Sequence, residues 1–206
     1  MLDVDLELAP GDFCVILGEN GVGKSTFFRS LLDLDNHEGV IRVHGDSPHG
    51  RILGVLDHPM MYLRWTAAAN LRYVLNDSKA EKRPGVRALL DDHLLRKTYG
   101  KMSTGQRKLV LLAAVLASDA DVILLDEFSN GLDQSSRQRI REVITNDIAA
   151  RARTVIATGH DLSAFGELPT RVLGLHDTKF TDLTPEYHAD KDLLTTYAHY
   201  ASRNTA

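Results

Sequence analysis

The segment Gly18-Glu19-Asn20-Gly21-Val22-Gly23-Lys24-Ser25-Thr26 restricts what this chain can fold into more than any other stretch. It follows an apolar run, Phe13-Cys14-Val15-Ile16-Leu17, and precedes a helical pattern over residues 24–34. A strand, a glycine-rich turn and then Lys-Ser at a helix start form a phosphate-cradling loop. Glycines let successive backbone N–H groups curl around a phosphate without Cβ clashes. The helix start adds its positive end. Lys24 is then expected to bridge the β- and γ-phosphates of a nucleotide, and Ser25 to offer its hydroxyl to Mg²⁺. Asn20, Gly21, Gly23 and Thr26 complete the expected cradle.

The rest of the chain suits a core built around such a loop. Strand-like runs fall at 13–17, 40–44, 52–56, 122–125, 154–157 and 171–175, most of them continuously apolar. That is the pattern of parallel strands covered on both faces. Helical patterns lie at 24–34, 104–116 and 135–150, with helix-like pieces at 70–75 and 85–95. The charged stretch 77–85 reads as a solvated connection. The expected fold class is α/β: a P-loop NTPase (RecA-like) core with a mostly parallel sheet, a small antiparallel β portion and an inserted helical subdomain. All 206 residues are read as one domain, with the core at about 1–64 and 119–190. The helical subdomain is expected at about 65–118 and a terminal helix at about 190–203. Cys14 is the only cysteine and sits in a strand-like run, so it reads as a core residue. The formal charge of −4, with scattered basic residues, argues against a nucleic-acid groove. The first residues lack a signal-peptide pattern and no apolar run is long enough to span a bilayer. A cytoplasmic location is expected.

The second half narrows the class. Ser103-Thr104-Gly105-Gln106 heads a helix, and Val122-Ile123-Leu124-Leu125-Asp126-Glu127 follows. Next come Phe128-Ser129-Asn130-Gly131-Leu132-Asp133 and, later, Thr154-Val155-Ile156-Ala157-Thr158-Gly159-His160-Asp161. In this order they resemble the signature loop, Walker B strand, D-loop and switch histidine of the ATP-binding-cassette family, from Leu6 to about Leu175. A carboxylate emerging where an apolar strand ends, beside a phosphate loop, is well placed for Mg²⁺, and its neighbour for proton abstraction. The resemblance accordingly implies that Asp126 holds Mg²⁺ through water, that Glu127 is the general base, and that His160 senses the γ-phosphate. It also implies a dimer. Ser103, Gly105 and Gln106 of one subunit would close over ATP held by the other, with Asp133 linking the pair.

Several positions depart from the family pattern. Thr104 stands where a glycine is usual and brings a β-branched side chain to the closing surface. The usual Mg²⁺-ligating glutamine is missing from Leu56-Asp57-His58-Pro59; Asp57 is its expected replacement, with His58 the other candidate. Phe128 stands where proline is usual. The family places an aromatic residue well upstream of the phosphate loop to stack on adenine. This sequence starts too late to hold that segment, so either the true start lies further upstream or the stacking contact and one edge hairpin are lacking, and loose base selection is expected.

The resemblance implies the ATP-binding and ATP-hydrolysing subunit of a membrane transporter. Such a subunit works as a homodimer or pseudo-dimer and sits at the inner face of the cell membrane through an integral membrane subunit. Met60, Met61, Tyr62, Leu63 and Trp65 suit a groove for a helix of that subunit, and equally the core of the helical subdomain. A mixed arrangement puts Trp65 inside and Met60 or Tyr62 at the groove. The other function class is a non-transport ATPase of the same superfamily acting on a cytosolic or nucleic-acid partner, but neither a long coiled-coil insertion nor a second cassette is present. A GTPase would need an Asn-Lys-x-Asp motif, which is absent. The short cassette leans toward export by analogy alone.

Overall fold

The computed structural model describes residues 4–43, 51–56, 61–129, 131–159 and 165–204. Its centre is β1 (Phe13–Leu17), whose five side chains are all buried. Around it runs a six-stranded sheet in the order β2-β3-β4-β1-β5-β6. The other strands are β2 (Ile52–Val55), β3 (Val122–Leu125), β4 (Thr154–Thr158), β5 (Arg171–His176) and β6 (Lys179–Asp182). The first five are mutually parallel, and only β6 runs antiparallel, closing a hairpin on β5. The parallel strands explain the continuous apolar runs, because both faces are covered.

One face carries α1 (Lys24–Leu31). Phe27 and Phe28 pack there with Cys14, Ile16, Leu124, Ile156 and Leu173. Phe27 also meets Phe180 edge-on at 5.2 Å, tying α1 to β6. Burial pushes the Cys14 thiol up to about 12, so Cys14 is the inert core residue expected. The opposite face carries α5 (Thr104–Ala117) and α6 (Gln134–Arg151), and at the far edge α7 (Thr184–Asp190) and α8 (Leu193–Asn204). Between β2 and β3 the chain is helical: α2 (Ala67–Val74), α3 (Pro84–Leu89) and α4 (Asp92–Arg96) precede α5. A Cβ on Gly85 would lie 2.9 Å from the Leu116 carbonyl carbon, so α3 rests directly on the α5 backbone.

Two sequence expectations change. Residues 40–43 form no strand, and His44 lies outside the described residues. Val40 is 76% exposed, and no described strand lies alongside to supply the ladder that β structure requires. The small antiparallel portion expected is the β5–β6 hairpin. The helical stretch 85–95 is two helices: Leu90 is extended, and Asp91 starts α4 by accepting the Leu94 N–H at 2.8 Å. The expected terminal helix is α8, and α7 precedes it, begun by Thr184-Pro185 with proline in its first turn.

The carboxyl end of α5 has a specific lock. Arg153 is 3% exposed and donates to the carbonyls of Leu116 (3.2 Å) and Ser118, and to Asp147 at 3.3 Å. It satisfies helix-terminal carbonyls that have no intrahelical partner. Replacing Arg153 with methionine is predicted to cost about 3 kcal/mol in urea denaturation, because the Leu116 and Ser118 carbonyls lose a donor and Asp147 is left with Arg151, 3.5 Å away. Arg51→Ala removes only the exposed pair with Asp119 and should change stability by less than about 0.5 kcal/mol.

Candidate functional site

The phosphate loop begins where β1 ends. Gly18 must lack a side chain, since a Cβ there would sit 2.8 Å from the Leu175 carbonyl oxygen. Gly21 and Gly23 have φ of 81° and 113°, the left-handed backbone that glycine adopts without strain. Lys24 opens α1 and is 6% exposed. Its ammonium donates to the carbonyls of Gly18 at 2.7 Å and Glu19 at 2.8 Å, which turns it back over the loop. Burial pulls its pKa down, while the Glu127 and Asp126 carboxylates oppose that shift. Those carboxylates therefore lie within electrostatic reach of Lys24. Ser25 and Thr26 follow in the first turn and are exposed, as are Asn20 and Gly21.

The carboxylates are placed by strand register. Asp126 follows β3, and Leu125 pairs with Ala157 of β4, so Thr158 falls beside Asp126. The Thr158 hydroxyl donates to Asp126 Oδ1 at 2.7 Å and accepts the Glu127 N–H at 3.2 Å. Asp126 is 6% exposed and its own N–H donates to the Val55 carbonyl at 3.0 Å. Glu127 has a positive φ of 45°, and its carbonyl accepts from the Lys108 ammonium of α5 at 2.7 Å. Thr158 and Lys108 were missed in the sequence reading. The register of two apolar strands pointed to Thr158; nothing in the sequence pointed to Lys108.

A second cluster forms at the head of α5. Ser103 accepts the Gln106 N–H on its hydroxyl at 3.2 Å, and Gln106 Oε1 accepts the Ser103 N–H at 3.3 Å, a capping box. Gln106 Oε1 also accepts from Lys97 at 2.9 Å, so its side chain is engaged within the chain. Gly105 packs against the D-loop: a Cβ there would lie 2.8 Å from the Gly131 carbonyl oxygen. Thr104, the residue expected to crowd the closing surface, lies exposed beside Gly131. Asp133 caps α6, accepting from the Ser136 N–H at 2.7 Å and the Ser135 hydroxyl at 2.9 Å. These bonds hold its carboxyl below the usual range. The structure thus joins Lys24, Asp126 and Glu127 in one cluster and Ser103, Gly105 and Gly131 in another. Among the described residues no hydrogen bond links Ser103 or Gly105 to the phosphate loop. Asp57, His58 and His160 lie outside the described residues.

The aromatic segment differs from the mixed arrangement expected. Met61 is the buried residue, at 8% exposure, whereas Trp65 is 40% and Tyr62 50% exposed. Tyr62 and Trp65 stack at 4.4 Å, and Tyr73 of α2 meets both rings edge-on. Asn70, fully buried, fixes this turn by bonding the Tyr62 N–H at 2.8 Å and carbonyl at 3.0 Å. Met60 lies outside the described residues.

A phosphate loop ahead of α1, with two carboxylates facing its lysine at the strand ends, defines a P-loop nucleoside triphosphatase. The chain belongs to the ABC transporter family, whose model matches residues 1–130, and within it to the ATP-binding, ATP-hydrolysing subunits. It is 31% identical over 183 residues to the aliphatic sulfonates import ATP-binding protein SsuB 1 of Rhodococcus jostii, covering 87% of this chain and 74% of that one. It is 28% identical over 209 residues to the molybdenum import ATP-binding protein ModC of Mycobacterium tuberculosis, covering 89% and 56%. It is 26% identical over 177 residues to the energy-coupling factor transporter ATP-binding protein EcfA1 of Mycoplasma capricolum, covering 78% and 43%. The chain therefore spans about half the length of the last two relatives. Two solved structures share the fold. An ATP-binding subunit of an ABC transporter superposes with a TM-score of 0.80 at 20% identity, over 96% of this chain and 91% of that one. A dimeric cassette in a post-hydrolysis state with ADP and Pi gives 0.72 at 23%, over 86% and 87%.

Thr158→Val removes one hydroxyl that serves both Asp126 and the Glu127 peptide. It should cost about 2 kcal/mol of stability in denaturant titration, since a buried charge loses its donor. Thr158→Ser should recover most of that loss.

Proposed function

We propose that this chain powers a membrane transporter by closing over ATP as a pair and opening after hydrolysis. The observation that carries the reading is the buried Lys24 ammonium, turned back over the phosphate loop with Asp126 and Glu127 within electrostatic reach. Loop N–H groups and Lys24 hold the β- and γ-phosphates, with Asn20, Gly21, Gly23 and Thr26 forming the cradle. Ser25 and Asp126 offer a hydroxyl and a carboxylate, the hard oxygen donors that suit Mg²⁺; the Thr158 bond keeps the carboxylate oriented. Asp57 is the proposed third ligand. Mg²⁺ would supply charge neutralisation at the phosphates. Glu127 orients a water and takes its proton as the water oxygen attacks the γ-phosphorus; the bond to the bridging oxygen breaks and ADP leaves. His160 contacts the γ-phosphate.

Ser103 and Gly105 of a second subunit, presented at the amino end of α5, complete the site over the γ-phosphate. Gln106 supports that surface through the capping box, and Asp133 supports the D-loop by capping α6. The helical subdomain, about 65–118, carries the closing surface. The membrane subunit docks on the stacked Tyr62 and Trp65 rings and the edge-on Tyr73, which stand exposed beside exposed Leu63. This contact would hold the subunit at the inner face of the cell membrane; among the described residues no helix is long and apolar enough to cross one. Relatives named for sulfonate and molybdenum import weigh against the lean toward export drawn from chain length.

Glu127→Gln keeps size and hydrogen bonding but removes the base. It should bind ATP, lose at least about 99% of hydrolysis and run as a dimer with Mg-ATP in size-exclusion chromatography with light scattering. Lys24→Ala should stay monomeric with ATP. Hydrolysis by Glu127→Gln at the parent rate would overturn the catalytic assignment.

A further inference from the structure

We infer that Lys108 is a positioning residue that holds the general base Glu127 in place and ties it to the helix that closes on the partner's nucleotide. The inference rests on the reading of Glu127 as the base. Lys108 lies on α5 one turn beyond Thr104 and is only 7% exposed. Its ammonium donates to the Glu127 carbonyl at 2.7 Å and stands 6.0 Å from the centre of the Phe128 ring. A methionine of similar length would fill this space without the cost of burying a charge, but it could not donate a hydrogen bond. The lysine contributes a strong, charge-assisted donor to the Glu127 carbonyl.

That carbonyl belongs to a residue whose backbone conformation needs support. Glu127 has a φ of 45°, left-handed backbone that non-glycine residues seldom adopt and keep only where their surroundings hold them. Its N–H is held by Thr158 Oγ1 at 3.2 Å and its carbonyl by Lys108. Residue 128 makes this geometry accessible. A proline there would push residue 127 to extended backbone, whereas phenylalanine leaves it free and also gives Lys108 a ring face. Ser103, at the head of the same helix, presents the surface that meets the other subunit. Lys108 therefore links that surface to the backbone of the base: a shift of α5 is passed to the Glu127 peptide and through it to the carboxylate. A base displaced by even an ångström loses alignment with its water.

The test is steady-state ATP hydrolysis by the full chain carrying Lys108→Met, Lys108→Arg or Glu127→Gln, with ATP affinity measured without Mg²⁺ and the melting temperature recorded. Lys108→Met is expected to lower kcat about tenfold or more, keep KM and ATP affinity within about twofold, and melt within a few degrees of the parent. Lys108→Arg, which retains a charged donor, is expected to recover most of kcat. Parent-like kcat in Lys108→Met beside an inactive Glu127→Gln overturns this proposal alone. So does a Lys108→Met protein that loses folding and ATP affinity together, or a Lys108→Arg protein as slow as Lys108→Met. Parent-rate hydrolysis by Glu127→Gln overturns the general-base reading and this inference with it.

Discussion

Burying the Lys24 ammonium at 6% exposure has a large desolvation cost, which two carbonyl bonds and two facing carboxylates offset. Most of the fold can be read as the means of holding that arrangement. β1 delivers the loop from the middle of the sheet, with all five of its side chains buried, so the loop's origin cannot shift. β3 and β4 bring Asp126 and Thr158 level with each other through a fixed register. Gly18 lets the loop pass against Leu175 of β5 at a distance no other residue would allow. The charge sits just beyond the end of β1, held by the Gly18 and Glu19 carbonyls.

The helices on the other face extend this order to a second surface. α5 is buried from Lys108 to Ala117 and locked at its carboxyl end by Arg153. Its amino end carries Ser103 and Gly105, and Gly105 lies so close to Gly131 that signature loop and D-loop form one unit. With Lys108 reaching the Glu127 carbonyl, the same helix touches the chain just beyond β3. Two half-sites in one chain, joined by a rigid element, are what an enzyme needs if it completes each site only by pairing.

Elements whose residues carry both a motif and a strong period were legible in the sequence. Phe13–Leu17, Val122–Leu125 and the helix starting at Thr104 fall where the motifs placed them. So do Lys24, Asp126 and Glu127, because strand ends and a glycine loop fix their positions. Residues 40–43 failed as a strand because an apolar run needs a partner ladder that local sequence cannot reveal. β6 and α7 were missed because Lys179–Asp182 is short and mostly exposed, with little alternation, and because the helix signal Thr184-Pro185 is only two residues long. Trp65 was expected inside, yet Met61 took that place; which of several apolar neighbours turns inward depends on Asn70, a polar residue that hydropathy passes over. Lys108 was invisible because a lysine on a helix ordinarily reads as solvated.

The central claim is that no single copy holds a complete catalytic site: phosphate loop and carboxylates come from one chain, Ser103 and Gly105 from another. The most direct measurement is specific ATPase activity as a function of protein concentration at saturating Mg-ATP. At concentrations where the pair is scarce, the account predicts that hydrolysis rises with about the square of protein concentration, then becomes linear as pairs saturate. Strict proportionality across the range, with a monomer in light scattering at every concentration, would contradict it.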